Sequence, residues 1–155
     1  MSSSSHEAGS DKQGASQGGH GELAGKALDH ARHPRNEGEF PKPDGIGRAS
    51  LSCGDTIQIV LRVKDGTIDT ARFLSTGCGA GRACGSVTTE MVQGKPVAEA
   101  FEVTHENILR NVEGLPESEA HCAILAEAAL KAALRDYLSL RREPWKKSYR
   151  SIRPL

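Results

Sequence analysis

A β-hairpin followed by a long helical region is the feature that most restricts how this 155-residue chain can fold. Across residues 56–63, apolar residues alternate with mostly polar ones, which is the pattern of a half-buried strand. Residues 64–66, Lys-Asp-Gly, are typical of a hairpin turn, and residues 67–75 return as a second strand. Residues 48–51 are predicted to form a third, shorter strand. The sequence therefore predicts a small antiparallel sheet.

Helical periodicity replaces this alternation after Cys78. Apolar residues recur at helical spacing up to Gly94, and further helices are predicted at residues 96–101, after Thr104 as an N-cap, and at residues 118–142. Another helix is predicted at residues 22–33, where the following proline ends it. The predicted fold class is α+β: a three-stranded antiparallel sheet covered by helices on one side, with a long C-terminal helix.

Composition divides the chain into three segments. Residues 1–21 are rich in Ser, Gly, Gln and His and predict a disordered tail, and residues 22–142 form the predicted domain. Residues 143–155 form a basic C-terminal tail, either solvated or a docking surface for an acidic partner. The formal net charge of zero argues against binding to nucleic acid or to membranes. Because no signal or transit peptide is recognisable, we expect a cytoplasmic, soluble protein.

Three cysteines carry most of the chemical information. Cys53 is followed by Asp55 after one glycine, Cys78 lies between two glycines, and Cys122 follows His121. Thiolates are soft ligands that suit zinc, copper(I) or iron-sulfur clusters, and the carboxylate and imidazole beside them are further ligands. The three loops fall at one end of the predicted sheet. We therefore predict that these five residues form one metal site.

The surroundings of the cysteines predict different reactivities. Cys78 and Cys122 are expected at helix N-termini, where free amide groups lower a thiol pKa. Adjacent helical residues diverge, so the helix that starts near His121 must be irregular if both neighbours bind one ion. Cys84 falls among apolar residues at helical spacing and is predicted to be a small buried hydrophobe. His30 and Arg35 are predicted to have structural roles.

Four segments resemble a known family in the same order along the chain. Residues 29–38, Asp-His-Ala-Arg-His-Pro-Arg-Asn-Glu-Gly, resemble the opening D-H-x-x-N-P-R-N-x-G of the iron-sulfur cluster assembly scaffolds, the IscU proteins and the N-terminal domain of NifU. Residues 53–55, 76–79 and 121–122 resemble the three ligand motifs of that family. The resemblance covers residues 23–138 and implies a SufE/NifU-like fold.

The resemblance also implies a function. It implies a scaffold, not an enzyme, on which iron and sulfide form a 2Fe-2S cluster for transfer to apo iron-sulfur acceptor proteins. Sulfur would arrive as a persulfide from a cysteine desulfurase, with Cys122 as the acceptor. Cys53, Asp55, Cys78, His121 and Cys122 are the implied ligands, and zinc can occupy the same site.

One segment departs from the family pattern. In IscU proteins the segment before His-Cys is similar to L-P-P-V-K and is a docking segment for a chaperone pair. Residues 115–119 of this chain are instead Leu-Pro-Glu-Ser-Glu. Glu119 thus replaces a lysine, which weakens the expectation of chaperone docking and would make a thiolate at Cys122 more costly.

Two other functions remain open from the sequence. One is a zinc-binding, SufU-like sulfur acceptor that activates a desulfurase, although His121 and the absence of an insertion before Cys122 favour the scaffold. The other is a structural zinc module that mediates protein contacts.

Overall fold

The computed structural model describes residues 22–52 and 54–145. Its elements, in chain order, are α1 (Gly25–Arg32), β1 (Gly45–Ser50), β2 (Thr56–Lys64), β3 (Thr67–Thr76), α2 (Gly79–Val92), α3 (Val97–Ala100), α4 (His105–Val112), a 3-10 turn (Glu117–Glu119) and α5 (His121–Arg142). The predicted α+β class, with its three strands and long last helix, is confirmed. The predicted tail at residues 1–21 and most of the basic segment 143–155 lie outside the described residues.

The sheet is an antiparallel meander in the order β1-β2-β3. Strand β1 begins at Gly45 and is longer than predicted, because the sequence analysis assigned its glycines to a loop. Those glycines allow β1 to lie directly on α5. A Cβ atom on Gly47 would overlap the backbone of Ala129 and Ala133 and lie 2.7 Å from the carbonyl carbon of Ala132.

The main core lies between the sheet and the helices. It contains apolar side chains of β2 and β3, such as Ile59 and Phe73, packed with residues of α2 and α5. The outer face of β2 is also buried, at Gln58 and Val60, so the predicted half-buried pattern is incomplete. The segment before β1 covers this face: the side-chain amide of Gln58 donates to Glu39 Oε1 at 3.3 Å.

The N-terminal helix is attached to α2 by a buried polar contact. His30 Nδ1 lies 2.7 Å from Ser86 Oγ, and the backbone N–H of Arg35 donates to the same hydroxyl at 2.9 Å. The Arg35 guanidinium in turn donates to Asp29 at 2.6 Å. These contacts agree with the structural roles predicted for His30 and Arg35.

The helices near the C-terminus begin at well-defined residues. Thr104 is the N-cap of α4, as predicted, and forms a reciprocal capping box with Asn107. The segment predicted as one helix over residues 118–142 consists of the 3-10 turn and α5, which starts at His121. Among the described residues, none of the helices has the length and apolar character needed to span a membrane.

Candidate metal centre

Three predicted ligands from separate parts of the chain meet at one end of the sheet. Asp55 lies just before β2, Cys78 just before α2, and Cys122 in the first turn of α5. The carboxylate oxygen and the two sulfur atoms of these residues lie within 4.8 Å of one another. Asp55 and Cys78 are half-buried, whereas Cys122 is fully buried. The predicted gathering of these loops is therefore confirmed for the described residues.

The turn before Cys78 requires a glycine at position 77. Gly77 adopts a φ of +115°, a conformation that favours glycine, and the Asp55 side chain packs against its Cα. A Cβ atom at position 77 would overlap an Asp55 carboxylate oxygen and lie 2.8 Å from its Cγ. The chain then passes into α2 with Cys78 as the N-cap. This turn holds Asp55 and Cys78 side by side.

A second group of possible ligands shares Cys122. Glu119, His121 and Cys122 present donor atoms that also lie within 4.8 Å of one another. His121 Nε2 lies 4.0 Å from Glu119 Oε1, and 37% of the His121 side chain is exposed. The start of α5 is irregular, because the 3-10 turn directly precedes it. An irregular helix start is the predicted condition for His121 and Cys122 to bind one ion.

The Cys78 thiol has a lowered pKa, as predicted. A hydrogen bond from the Cys122 thiol is the largest cause, and the backbone amides of Gly81 and Ala80 add to it, so that the pKa falls from 9.0 to about 6. Burial opposes this shift. At neutral pH the negative charge of the cysteine pair therefore lies on Cys78.

The prediction of a lowered pKa at Cys122 is wrong. Its hydrogen bond to Cys78 raises the Cys122 pKa, and burial and the charges of Cys78, Cys84 and Glu119 raise it further. The 3-10 turn also changes the helix start: the Ala123 N–H donates to Ala120 O at 3.0 Å and does not face the Cys122 sulfur as a free donor. The predicted effect of Glu119 is confirmed, because its charge raises the Cys122 pKa.

Of the two remaining cysteines, Cys84 lies among the described residues and Cys53 does not. Cys84 is fully buried in α2, and burial raises its pKa to about 12, in agreement with the predicted hydrophobic role. Cys53 lies outside the described residues, so its predicted place in the site stays a prediction. The described donors are thiolate, imidazole and carboxylate, a set that fits zinc or iron.

Comparison with known proteins identifies the family of this chain. The family model described as "NifU-like N terminal domain" matches residues 22–143. The chain is 42% identical over 121 residues to "Iron-sulfur cluster assembly scaffold protein IscU" of Escherichia coli, covering 75% of this chain and 94% of that protein. It is 39% identical over 113 residues to "Iron-sulfur cluster assembly scaffold protein IscU 1" of Archaeoglobus fulgidus, covering 72% of this chain and 74% of that protein.

The fold is similar to that of solved structures. A SufU protein from Fervidobacterium islandicum matches with a TM-score of 0.58 and 20% identity, covering 72% of this chain and 95% of that one. Four lines of observation therefore agree: the order of the motifs, the α+β fold, the gathered ligands and the match over residues 22–143. The chain belongs to the family of NifU-like N-terminal domains.

Proposed function

We propose that this protein is a scaffold for the assembly and transfer of iron-sulfur clusters. The observation that carries the proposal is the convergence of the Asp55, Cys78 and Cys122 donor atoms within 4.8 Å, in a member of this family. Relatives from a bacterium and an archaeon that are 39–42% identical are named as cluster assembly scaffolds. The role is to bind, hold and pass on a cluster, which is cargo and not a resident cofactor.

The cargo in this proposal is a 2Fe-2S cluster. Cys53, Cys78 and Cys122 supply thiolates, which bind iron strongly, and Asp55 and His121 supply harder donors. A scaffold has to release its product, and a site with mixed ligands releases it more easily than one with four thiolates. Asp55 is half-buried, 37% of the His121 side chain is exposed, and each presents a donor atom within 4.8 Å of the Cys122 sulfur, which supports this mixed set. Zinc fits the same donors and can occupy the site of the isolated protein.

Sulfur enters, in this proposal, as a persulfide on Cys122. The Cys122 sulfur attacks the outer sulfur of a desulfurase persulfide, a new S–S bond forms at Cys122, and the desulfurase cysteine leaves as a thiolate. The Cys122 proton passes to the Cys78 thiolate, with which it already shares a hydrogen bond. No net oxidation or reduction occurs, because the desulfurase persulfide becomes a thiolate as the Cys122 thiol becomes a persulfide. Because Cys122 is buried, the segment that covers it has to move for the transfer.

Two classes of partner follow from this chemistry. A cysteine desulfurase supplies the sulfane sulfur, and apo iron-sulfur proteins accept the finished cluster. The acidic Glu119, at the position where the IscU docking segment has lysine, weighs against use of the usual chaperone pair.

Anaerobic reconstitution with iron, cysteine and a desulfurase tests the proposal. The expected result is a sulfur-to-iron charge-transfer spectrum that fades as an added apo-ferredoxin gains its cluster. Bound zinc, faster desulfurase turnover and no chromophore would instead identify a zinc-binding sulfur acceptor.

Two variants and one control test the roles of the proposed ligands. Cys122→Ser should abolish sulfur acceptance, whereas Cys84→Ala, which also removes a buried thiol but lies outside the donor group, should retain it. Asp55→Ala should slow release of the cluster to the acceptor if Asp55 is the labile ligand. Unchanged sulfur acceptance in Cys122→Ser, together with unchanged transfer in Asp55→Ala, would contradict the mechanism.

A further inference from the structure

A glutamate that the proposed ligand set does not use lies inside the donor group. The Glu119 side chain is fully buried. Its Oε1 atom lies 3.8 Å from the Cys78 sulfur and 3.9 Å from the Cys122 sulfur. The same oxygen lies 4.0 Å from Nε2 of His121. One carboxylate oxygen is thus close to three of the proposed ligands.

These distances approach those of a metal coordination sphere. Donor atoms about 2.0–2.3 Å from a tetrahedrally bound ion lie about 3.3–3.8 Å from one another. The three separations measured from Glu119 Oε1 are 3.8, 3.9 and 4.0 Å. Each of these three separations is a few tenths of an ångström longer than in a coordination sphere, and the His121 and Cys122 donor atoms lie within 4.8 Å of each other. A small movement of these side chains would therefore bring the donor atoms to the separations that one ion requires.

The energetics of burial favour the same role. A buried carboxylate is costly unless it is hydrogen-bonded, paired or bound to a metal, and Glu119 Oε1 lies within hydrogen-bond distance of both cysteine sulfurs. A metal that binds these sulfurs displaces the thiol protons, so it has to replace those hydrogen bonds. A divalent cation among these atoms offsets the burial of the carboxylate and the repulsion between the negative groups at once. A lysine, which the IscU motif has at this position, has no lone pair for a metal while it is charged.

We propose that Glu119 is a metal ligand in this chain and holds a divalent iron ion together with His121 and Cys122. The inference rests on the proposed function for the identity of the metal, since a carboxylate oxygen is a harder donor than a thiolate and suits iron(II) that is not yet bound to sulfide. Position 119 thus supplies a carboxylate ligand that the related motif lacks.

Cobalt(II) is a suitable probe, because its ligand-field and sulfur charge-transfer bands report the donor set directly. The full-length protein, free of metal and fully reduced, is titrated with cobalt(II), and iron(II) binding is measured in parallel by X-ray absorption. Glu119→Gln preserves size and one acceptor oxygen but replaces the carboxylate with a neutral amide, which is a much weaker metal ligand. It should weaken cobalt(II) and iron(II) binding about tenfold or more, change the ligand-field bands and remove one oxygen donor from the iron shell.

The matched control is Glu117→Gln, an exposed residue of the same 3-10 turn, which should bind both metals as the wild type does. If Glu119→Gln does not fold, Glu119→Leu, which removes the polar atoms at similar volume, is titrated with cobalt(II) and iron(II) in its place. Unaltered bands and affinity in a folded Glu119 variant would overturn the inference.

The test is independent of cluster assembly. A wild type that assembles and transfers clusters, with a Glu119→Gln variant that binds cobalt(II) unaltered, refutes the role of Glu119 and leaves the proposed function intact. A wild type that assembles no cluster, but whose cobalt(II) site loses an oxygen donor in the variant, refutes the function and leaves the ligand.

Discussion

The cysteine pair makes a quantitative prediction for the reactivity of Cys78. With a pKa of about 6, roughly 90% of Cys78 is thiolate at pH 7, against about 1% for a thiol with a pKa of 9.0. A less basic thiolate is also a weaker nucleophile: with a Brønsted coefficient of about 0.4–0.5, the difference of three between the two pKa values lowers its intrinsic reactivity about 15- to 30-fold. The product of the two effects is an exchange rate about 3- to 6-fold above that of an ordinary cysteine at pH 7.

The pH profile separates this effect from access to solvent. Metal-free protein is exposed to a small neutral disulfide from pH 4.5 to 10, the reaction is stopped with acid, and modified peptides are quantified by mass spectrometry. Because the folded-state pKa is lowered, the thiolate is lost only as the pH falls through about 6, and the Cys78 rate should reach half of its plateau there. Cys84, whose pKa is raised to about 12, should stay unmodified across the range.

Two substitutions at Cys122 identify the cause of the shift. Cys122→Ser keeps a hydrogen-bond donor toward Cys78, so the midpoint should remain low. Cys122→Ala removes the donor, and the midpoint should rise, though not to 9.0, since the amides of Gly81 and Ala80 remain. A wild-type midpoint between pH 8 and 9, or equal midpoints in the two variants, would refute the reasoning.

Equilibrium urea denaturation of the metal-free, reduced protein tests three further predictions. Gly47→Ala should cost about 3 kcal/mol, because its methyl group overlaps the α5 backbone; a loss below about 1 kcal/mol would contradict this packing of β1. Ser86→Ala should lower the free energy of unfolding by about 1–3 kcal/mol, because it removes the hydroxyl shared by His30 and Arg35. An unchanged urea midpoint would show that this contact does not stabilise the fold. Thr104→Ala should cost about 1 kcal/mol through the capping box, whereas Thr104→Ser should retain most of that stability.

The sequence predicted the elements of the fold better than their contacts. Alternation and helical spacing depend on neighbours along the chain, which explains why β2, β3 and α2 were placed within a few residues of their observed ends. Strand β1 was predicted too short because Gly45 and Gly47 are typical of loops. Their use in a strand depends on the approach of α5, an element more than 70 residues away, and local patterns carry no information on that contact.

The same distinction between local pattern and long-range contact applies to the candidate metal site. The types of candidate ligand and their order along the chain could be predicted from the sequence. The structure places the donor atoms of Asp55 and Cys78 within 4.8 Å of Cys122, and that of His121 within 4.8 Å of the same sulfur. The pKa of Cys122 was predicted in the wrong direction because it depends on a hydrogen bond to Cys78, on burial and on the 3-10 turn before α5. Glu119 was recognised as a charge near the site, but its position among the donors required the fold.

The burial and the chemistry of the proposed ligands predict an order in which they release a cluster. Acceptor thiolates approach from solvent, and ligands at the exposed edge exchange before buried ones do. His121 has 37% of its side chain exposed and Asp55 is half-buried, whereas Cys122 is fully buried. Cys78 is half-buried like Asp55, so access distinguishes only Cys122 from the other donors. The strength of the bonds to iron separates Asp55 and His121, which are harder and so weaker ligands for cluster iron, from both cysteines. We therefore expect bonds to Asp55 and His121 to be lost first and the bond to Cys122 last, which would let the scaffold retain its hold until the acceptor has bound the cluster.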